Sequence, residues 1–444
     1  MVPLAVSAVL ACRMLVATTL IPPWQQPDEN SHVAQVELAR TRITGSGYSP
    51  DPAREAEILR SMSGYDFWEH RARGFPIPAV IPESFTAAGA RVGTPAGGGL
   101  TPPAYFPAAG RLLSWLPRLS VVQDMYILRG ISAIFGMLTL WVAWLAAREG
   151  LGPFGGATVA MLLALHPQFA IVSTAATPDA VANLFGACLW WMAVAAVMRQ
   201  RYLWPLAGVW LAAGAAAAAD RMGVPLLAVA LSVSVVVLML HARDRGWPSR
   251  TTTLGMLLLA AVVFGASIWL LFASGVSYGL QSIFSGSLAP VPEARTWEYF
   301  ARFTSFLHQS WWASLGWGRY PPPSWWIGTT IALTAMAAVG AAWSVFRGRT
   351  IDGRTRVILG LAAVSLAIQV AAVYWVYFRL AVGPQGKSLF PVLVPSLMLL
   401  WAGLTAWIPE TRRAHAAVAL VAAFAVLDAA IWGLVAIPAY YASL

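Results

Sequence analysis

Two residue types that seldom sit together beside an apolar stretch do so here, in Pro22-Pro23-Trp24-Gln25-Gln26-Pro27-Asp28-Glu29-Asn30-Ser31-His32. An adjacent pair of acids follows directly on the first apolar segment, with an imidazole one turn further on. The prolines end the preceding helix, because proline lacks a backbone donor and has a locked φ. From Asp28 to Arg42 the pattern reads as a short amphipathic helix, which puts Asp28 and His32 (i, i+4) and Glu29 and His32 (i, i+3) on one face. A carboxylate with a neighbouring imidazole at the edge of a membrane suits a general base. The same residues also suit a structural part, with Asp28 as helix cap and Glu29 in the favourable first turn.

The elements that must position this stretch are helices in a bilayer. The chain has 444 residues, 58% of them hydrophobic and 11% charged, with a mean hydropathy of +0.65. Those values exclude a soluble globular protein and predict an all-α polytopic membrane protein. At about 20 apolar residues per span, about eleven transmembrane helices are expected near 3–21, 125–147, 154–174, 180–198, 203–219, 223–241, 252–274, 325–346, 357–378, 388–408 and 414–437. Met1 to Ile21 lacks a basic leader and a small-residue cleavage site, so it is read as a retained first span. Cys12 and Cys188 lie inside apolar segments and offer neither a disulfide framework nor a metal site.

The net charge of +10 is nearly all arginine, Lys387 being the single lysine. In a membrane protein that surplus belongs to cytoplasmic loops, and no nucleic-acid partner is expected. With the N-terminus inside, twelve arginines fall in the short cytoplasmic connections, from Arg148 to Arg413, and only Arg221, Arg379 and Lys387 in the short outer ones. This asymmetry predicts an integral cytoplasmic-membrane protein with a cytoplasmic N-terminus and an extracytoplasmic acid pair. The chain then reads as one membrane domain, 1–444, interrupted by two long outer loops at 22–124 and 275–324. Within the first, Leu100 to Leu119 is amphipathic and proline-rich, as an interfacial helix would be. The second is crowded with aromatics, among them Trp297, Tyr299, Trp311, Trp312, Trp317 and Tyr320. Such residues form an interfacial belt or, through flat faces with a polar tip, contact sugar rings.

Charges at the ends of spans cost several kcal/mol unless paired or wet, so each needs a reason. On the outer side they gather: Arg129, Asp179, Asp220-Arg221, Arg379 and Lys387, besides Asp28 and Glu29. Asp179 could cap its helix and Asp220-Arg221 form a local ion pair. Arg379 and Lys387 flank Gly383-Pro384-Gln385-Gly386, where backbone N–H groups can approach an anion. A lipid phosphate is the anion found at that depth. Arg13, midway along the first span, calls for an acidic partner or a different start of the chain.

At this point the residues resemble a known group. The first span, the outer PDE…H stretch and the large first loop resemble the GT-C superfamily of polyprenyl-phosphate-dependent glycosyltransferases. Four further stretches resemble an uncharacterised bacterial multi-spanning branch of it: Thr101 to Pro107 (TPPAYFP), Ser173 to Asn183 (STAATPDAVAN), Ser310 to Trp317 (SWWASLGW) and Gln385 to Pro391 (QGKSLFP). The resemblance implies transfer of a sugar from a polyprenyl-phosphate donor to a glycan, lipid or protein acceptor on the outer side; one base and no covalent intermediate would then invert the anomeric configuration. It implies Asp28 as base, with Glu29 second. It places the carrier phosphate on Lys387, with Arg379 and Arg221, and a second acid at Asp179, which is a candidate for substrate contact. Gln385 is a further candidate for the phosphate, and His32, Tyr105, Trp312 and Trp317 for the substrate. That branch commonly has QGR where this chain has Gln385-Gly386-Lys387, and lysine keeps the charge but loses the bidentate fork. Some GT-C enzymes use a divalent metal, but no dedicated ligand cluster is visible and no cofactor is expected. Two rival readings are a flippase for a lipid-linked glycan and a non-catalytic partner in a cell-envelope complex.

Overall fold

The computed structural model describes residues 2–26, 28–43, 51–70, 80–81, 83–84, 104–200, 202–246, 249–273, 296–347, 352–380 and 385–441. Among them the chain is helical throughout, with one isolated bridge between Leu315 and Tyr320. Eight helices are long and apolar enough to cross a membrane, and the chain is an integral membrane protein. Eleven were expected. The 45-residue helix Val121–Leu165 covers two of those spans and breaks where Gly152, at φ 80°, meets Pro153. Two more correspond to Trp204–Ala219 and Leu254–Ser267, which are apolar but shorter.

The helix Val2–Leu20 runs as an uninterrupted apolar segment until Pro22 and Pro23 stop it. Arg13, buried in its middle, finds its partner at the far end of the chain. Its Nε donates to Asp428 Oδ2 at 2.7 Å, and its other nitrogens reach Asp428 Oδ1 and the Ala164 carbonyl. A buried cation survives only when paired and hydrogen-bonded, and both conditions hold here. The helix Asp179–Arg199 packs between Val121–Leu165 and Leu203–Ala219, and the segment Gly386–Thr405 is enclosed on nearly all sides.

At one end of the bundle the first long loop forms its own small core. The helices Glu29–Ile43, Pro52–Gly64, Phe67–His70 and Tyr105–Ser114 bury Trp24, Val36, Leu59, Phe67, Phe106 and Leu113 against Met125 and Leu128. Asp51 caps the second of these helices by accepting from the Ala53 N–H, and Pro52 stands at its first position. Arg54 then rivets the loop to the bundle, donating to Glu37 at 3.1 Å and pairing with Asp124. The expected interfacial stretch Leu100 to Leu119 yields the shorter helix Tyr105–Ser114, whose Tyr105, Phe106 and Leu113 turn inward while Trp115 is exposed.

Candidate active site

The site is assembled by one turn of backbone, Ser173–Pro178, on which the first loop docks. Gln26 donates to the Thr174 carbonyl at 3.3 Å. Glu29 accepts the Ala176 N–H at 3.2 Å, and His32 Nδ1 lies 3.2 Å from the Ala176 carbonyl oxygen. The two sides of a single peptide residue, Ala176, thus hold two successive turns of the helix Glu29–Ile43. This turn leads straight into Asp179, the first residue of its helix. Docking the first loop on it brings Asp28 beside Asp179.

Between the adjacent acids the structure makes a sharp distinction. Glu29 is fully buried and points inward, accepting Arg129 Nε and Nη2 at 2.7 and 2.8 Å and the Trp24 N–H at 3.1 Å. Arg129 in turn donates to the carbonyls of Ile21 and Pro22. Every lone pair of Glu29 is engaged, so the expected second acid is a fastening of the fold and has none left for a substrate. Asp28 sits in the left-handed backbone region at φ 65°, which aspartate tolerates better than most side chains. Its side chain points the other way.

Lysine 387 meets it there. The Lys387 Nζ donates to Asp28 Oδ2 at 2.9 Å and lies 2.9 Å from Asp179 Oδ2. The lysine is carried by the short helical segment Gly386–Val392, whose position is set by close approaches that glycines permit. A Cβ on Gly386 would collide with the backbone nitrogen of Trp311, and one on Gly186 with the carbonyl of Pro391. The Gly386 N–H donates to Ser310 Oγ at 2.8 Å. Gln369 bridges two backbones, donating to the carbonyls of Met222 and Ser388 at 2.9 and 2.8 Å. Three of the four motif stretches, Ser173–Asn183, Ser310–Trp317 and Gln385–Pro391, therefore meet around one cluster of charge.

That cluster has a definite electrostatic character. Burial alone would raise the Asp28 carboxyl, but Lys387 foremost, with His32 and Arg221, holds it down at about 2. Burial and the charge of Asp179 push Asp220 up to about 6, against Arg221 and Lys387. Asp220 also accepts the Met222 N–H at 2.7 Å, capping the turn that carries Arg221. The Asp28 side chain keeps 34% of its surface exposed, against 11% for Lys387 and 13% for Asp179. Asp28 is the most exposed of the three. A lysine ammonium stands where an ion bridging Asp28 and Asp179 would have to be, and among the described residues no three His, Cys, Asp or Glu are grouped to hold a metal.

Of the other expected residues, Tyr105 is buried, and its phenol, raised by burial, lies in the field of Asp179. Gln385 is half-buried and directly precedes Gly386 and Lys387 in the chain. Trp312 is not at the site: it is fully buried, stacked on His166 with ring centroids 5.6 Å apart and flanked by Trp326 and Phe424. The side chains of Trp317 and Arg379 lie outside the described residues, as do Gly383 and Pro384. Sequence reasoning did not give the Ala176 backbone clamp or Gln369 a part, and neither carries a chemical signature in the sequence.

Residues 112–269 match the dolichyl-phosphate-mannose-protein mannosyltransferase family. The match covers a little over a third of the chain and is in line with the resemblance that the motifs carry. No curated protein matches the sequence. Among solved structures, the chain is similar to ArnT from Cupriavidus metallidurans bound to undecaprenyl phosphate, at 14% identity and a TM-score of 0.48, covering 94% of this chain and 63% of that one. It is also similar to the oligosaccharyltransferase AglB from Archaeoglobus fulgidus, in complex with an inhibitory peptide and a dolichol-phosphate. There the identity is 15%, the TM-score 0.42, and the cover 98% of this chain and 55% of that one. This chain thus spans under two thirds of the length of either.

Proposed function

We propose that the chain is a glycosyltransferase that moves a sugar from a polyprenyl-phosphate donor to an acceptor hydroxyl on the extracytoplasmic side of the membrane. One observation carries the reading: a lysine and a reachable aspartate, 359 positions apart, meet at the end of an apolar bundle with a second aspartate closing the group. The ammonium of Lys387, with Arg221 nearby, supplies the positive charge that a lipid phosphate needs as it departs. Such preorganised charge is commonly the largest share of catalysis.

In this reading the donor phosphate takes over the hydrogen bonds of Lys387 and releases Asp28. The Asp28 carboxylate then accepts the proton of the acceptor hydroxyl while its oxygen attacks the anomeric carbon. The carbon–oxygen bond to the phosphate breaks with its electron pair left on the phosphate. A single displacement of this kind inverts the anomeric configuration. Asp179 keeps Lys387 in place and balances its charge between turnovers. The match to a dolichyl-phosphate-mannose family supports a lipid-phosphate donor.

The test uses the full chain in membrane vesicles carrying a radiolabelled polyprenyl-phospho-sugar pool. Asp28→Asn, which preserves size, is expected to stop movement of label out of the lipid fraction while the protein still elutes as a folded species. Undiminished transfer by this variant removes Asp28 from the mechanism.

A further inference from the structure

The imidazole of His32 is held in a way that its surroundings alone do not require. Its Nδ1 lies 3.2 Å from the Ala176 carbonyl oxygen. A carbonyl oxygen can only accept, so Nδ1 carries the hydrogen and the neutral ring keeps its lone pair on Nε2. Among the described residues no hydrogen bond is formed to Nε2. The ring is half-buried and leans on Phe106, with centroids 5.7 Å apart. The backbone joins it to the site as well, since the His32 N–H donates to the Asp28 carbonyl at 2.9 Å.

We infer that His32 is the proton acceptor behind Asp28: the proton taken from the acceptor hydroxyl passes from the Asp28 carboxyl to Nε2 of His32, and from there to solvent. The inference rests on the glycosyl-transfer reading and deepens it. The step balances. The acceptor oxygen bonds to the anomeric carbon, the phosphate leaves with the electron pair, and the proton ends on nitrogen.

A relay is needed because Asp28 is a poor place for a proton to stay. Lys387 holds its carboxyl at about 2 in the unliganded site, so once the lysine returns, a protonated Asp28 must discharge. His32 lies in the first turn of the helix Glu29–Ile43, which Asp28 directly precedes, and is electrically coupled to the cluster. Burial lowers its basicity and Lys387 lowers it further, while Asp28, Asp179 and the Ala176 carbonyl act in the opposite sense. The net direction is downward, which keeps the imidazole uncharged and receptive at neutral pH. Its acid limb then falls below the ordinary imidazole range.

His32→Asn separates the two parts of the ring. The asparagine amide can still donate to the Ala176 carbonyl, as Nδ1 does, but it cannot take up a proton. In vesicles with the radiolabelled polyprenyl-phospho-sugar pool, turnover should fall about 100-fold, the ordinary worth of such a proton transfer. Dependence on donor concentration should stay as in the parent, and the acid limb of the pH–rate profile should vanish. His32→Ala should recover part of its rate when imidazole is added. Turnover within twofold of the parent with the parental pH profile overturns the relay. So does a slow His32→Asn with an unchanged profile and a His32→Ala that imidazole does not rescue, since that pattern marks a structural histidine. Asp28→Asn run alongside tells the two readings apart. If it is inactive while His32→Asn is normal, only the relay falls; if Asp28→Asn transfers sugar normally, the glycosyl-transfer reading falls and the relay with it.

Discussion

Asp28 and Lys387, 359 positions apart, lie 2.9 Å from carboxylate oxygen to ammonium nitrogen, and Asp179 takes up the other side of the same ammonium. Without ligand the group is closed on itself: two carboxylates satisfy the cation a phosphate would use. In the proposed reaction, donor binding is then an exchange of anions on Lys387, in which the incoming phosphate must outcompete Asp28.

That exchange predicts how substitutions at Lys387 divide. A charge-assisted hydrogen bond contributes about 1.5–3 kcal/mol, so Lys387→Ala should weaken donor binding by roughly 10- to 100-fold. Lys387→Arg keeps the charge and should bind donor better than the alanine variant. Titration with a polyprenyl-phosphate followed by tryptophan fluorescence measures both. Equal donor binding by parent and alanine variant would take the phosphate off Lys387.

The acids of the cluster should respond to pH in opposite senses. Asp28 is depressed from 3.8 to about 2, so its pairing stabilises the fold fully above 3.8 and is lost as pH falls towards 2. Asp220 is raised from 3.8 to about 6, so the fold favours its protonated form and loses that contribution as pH rises through 6. Asp220→Asn keeps the cap to Met222 but cannot ionise. Its melting temperature should exceed that of the parent at pH 7.5 and converge with it near pH 4. A variant that melts lower than the parent at pH 7.5 contradicts this account of Asp220.

Glu29 and Asp28 should separate cleanly in a stability assay although they are neighbours. Glu29→Ala strands a fully buried Arg129, a loss of about 3–5 kcal/mol for a broken buried pair. Little folded protein should survive detergent extraction. Asp28→Asn should extract and elute like the parent. Comparable behaviour of the two variants on size exclusion would mean that the Arg129–Glu29 pair does not hold the loop.

These contrasts mark where the sequence is legible. Apolar runs and arginine spacing show the helices because burial in lipid leaves composition no freedom, and Asp28, Asp179 and Lys387 stand out because charge at the end of a span is costly. The partner of Arg13 does not stand out. Asp428 lies 415 positions away, and only packing joins the two. The difference between Asp28 and Glu29 is equally hidden, since it depends on which side of a left-handed residue each carboxylate leaves the chain. Trp312 shows the same limit from the other side, because an aromatic in a core and one against a sugar have the same letter.

Gly386 provides the sharpest test of how position produces chemistry, for it has no side chain to take part. Its backbone lies so close to Trp311 that any Cβ must push the two segments apart. The neighbouring residue is Lys387, and the Gly386 N–H itself is tied to Ser310. Gly386→Ala therefore moves the ammonium while leaving all its chemistry intact. A displacement of about 1 Å from a productive geometry can cost on the order of 100-fold in rate. Gly386→Ala is expected to lose donor affinity and turnover together, with the Asp28–Lys387 contact lengthened, whereas Gly360→Ala, a glycine with open space around it, should behave like the parent. If Gly386→Ala turns over normally, the register of the Gln385–Pro391 segment does not set the position of the phosphate.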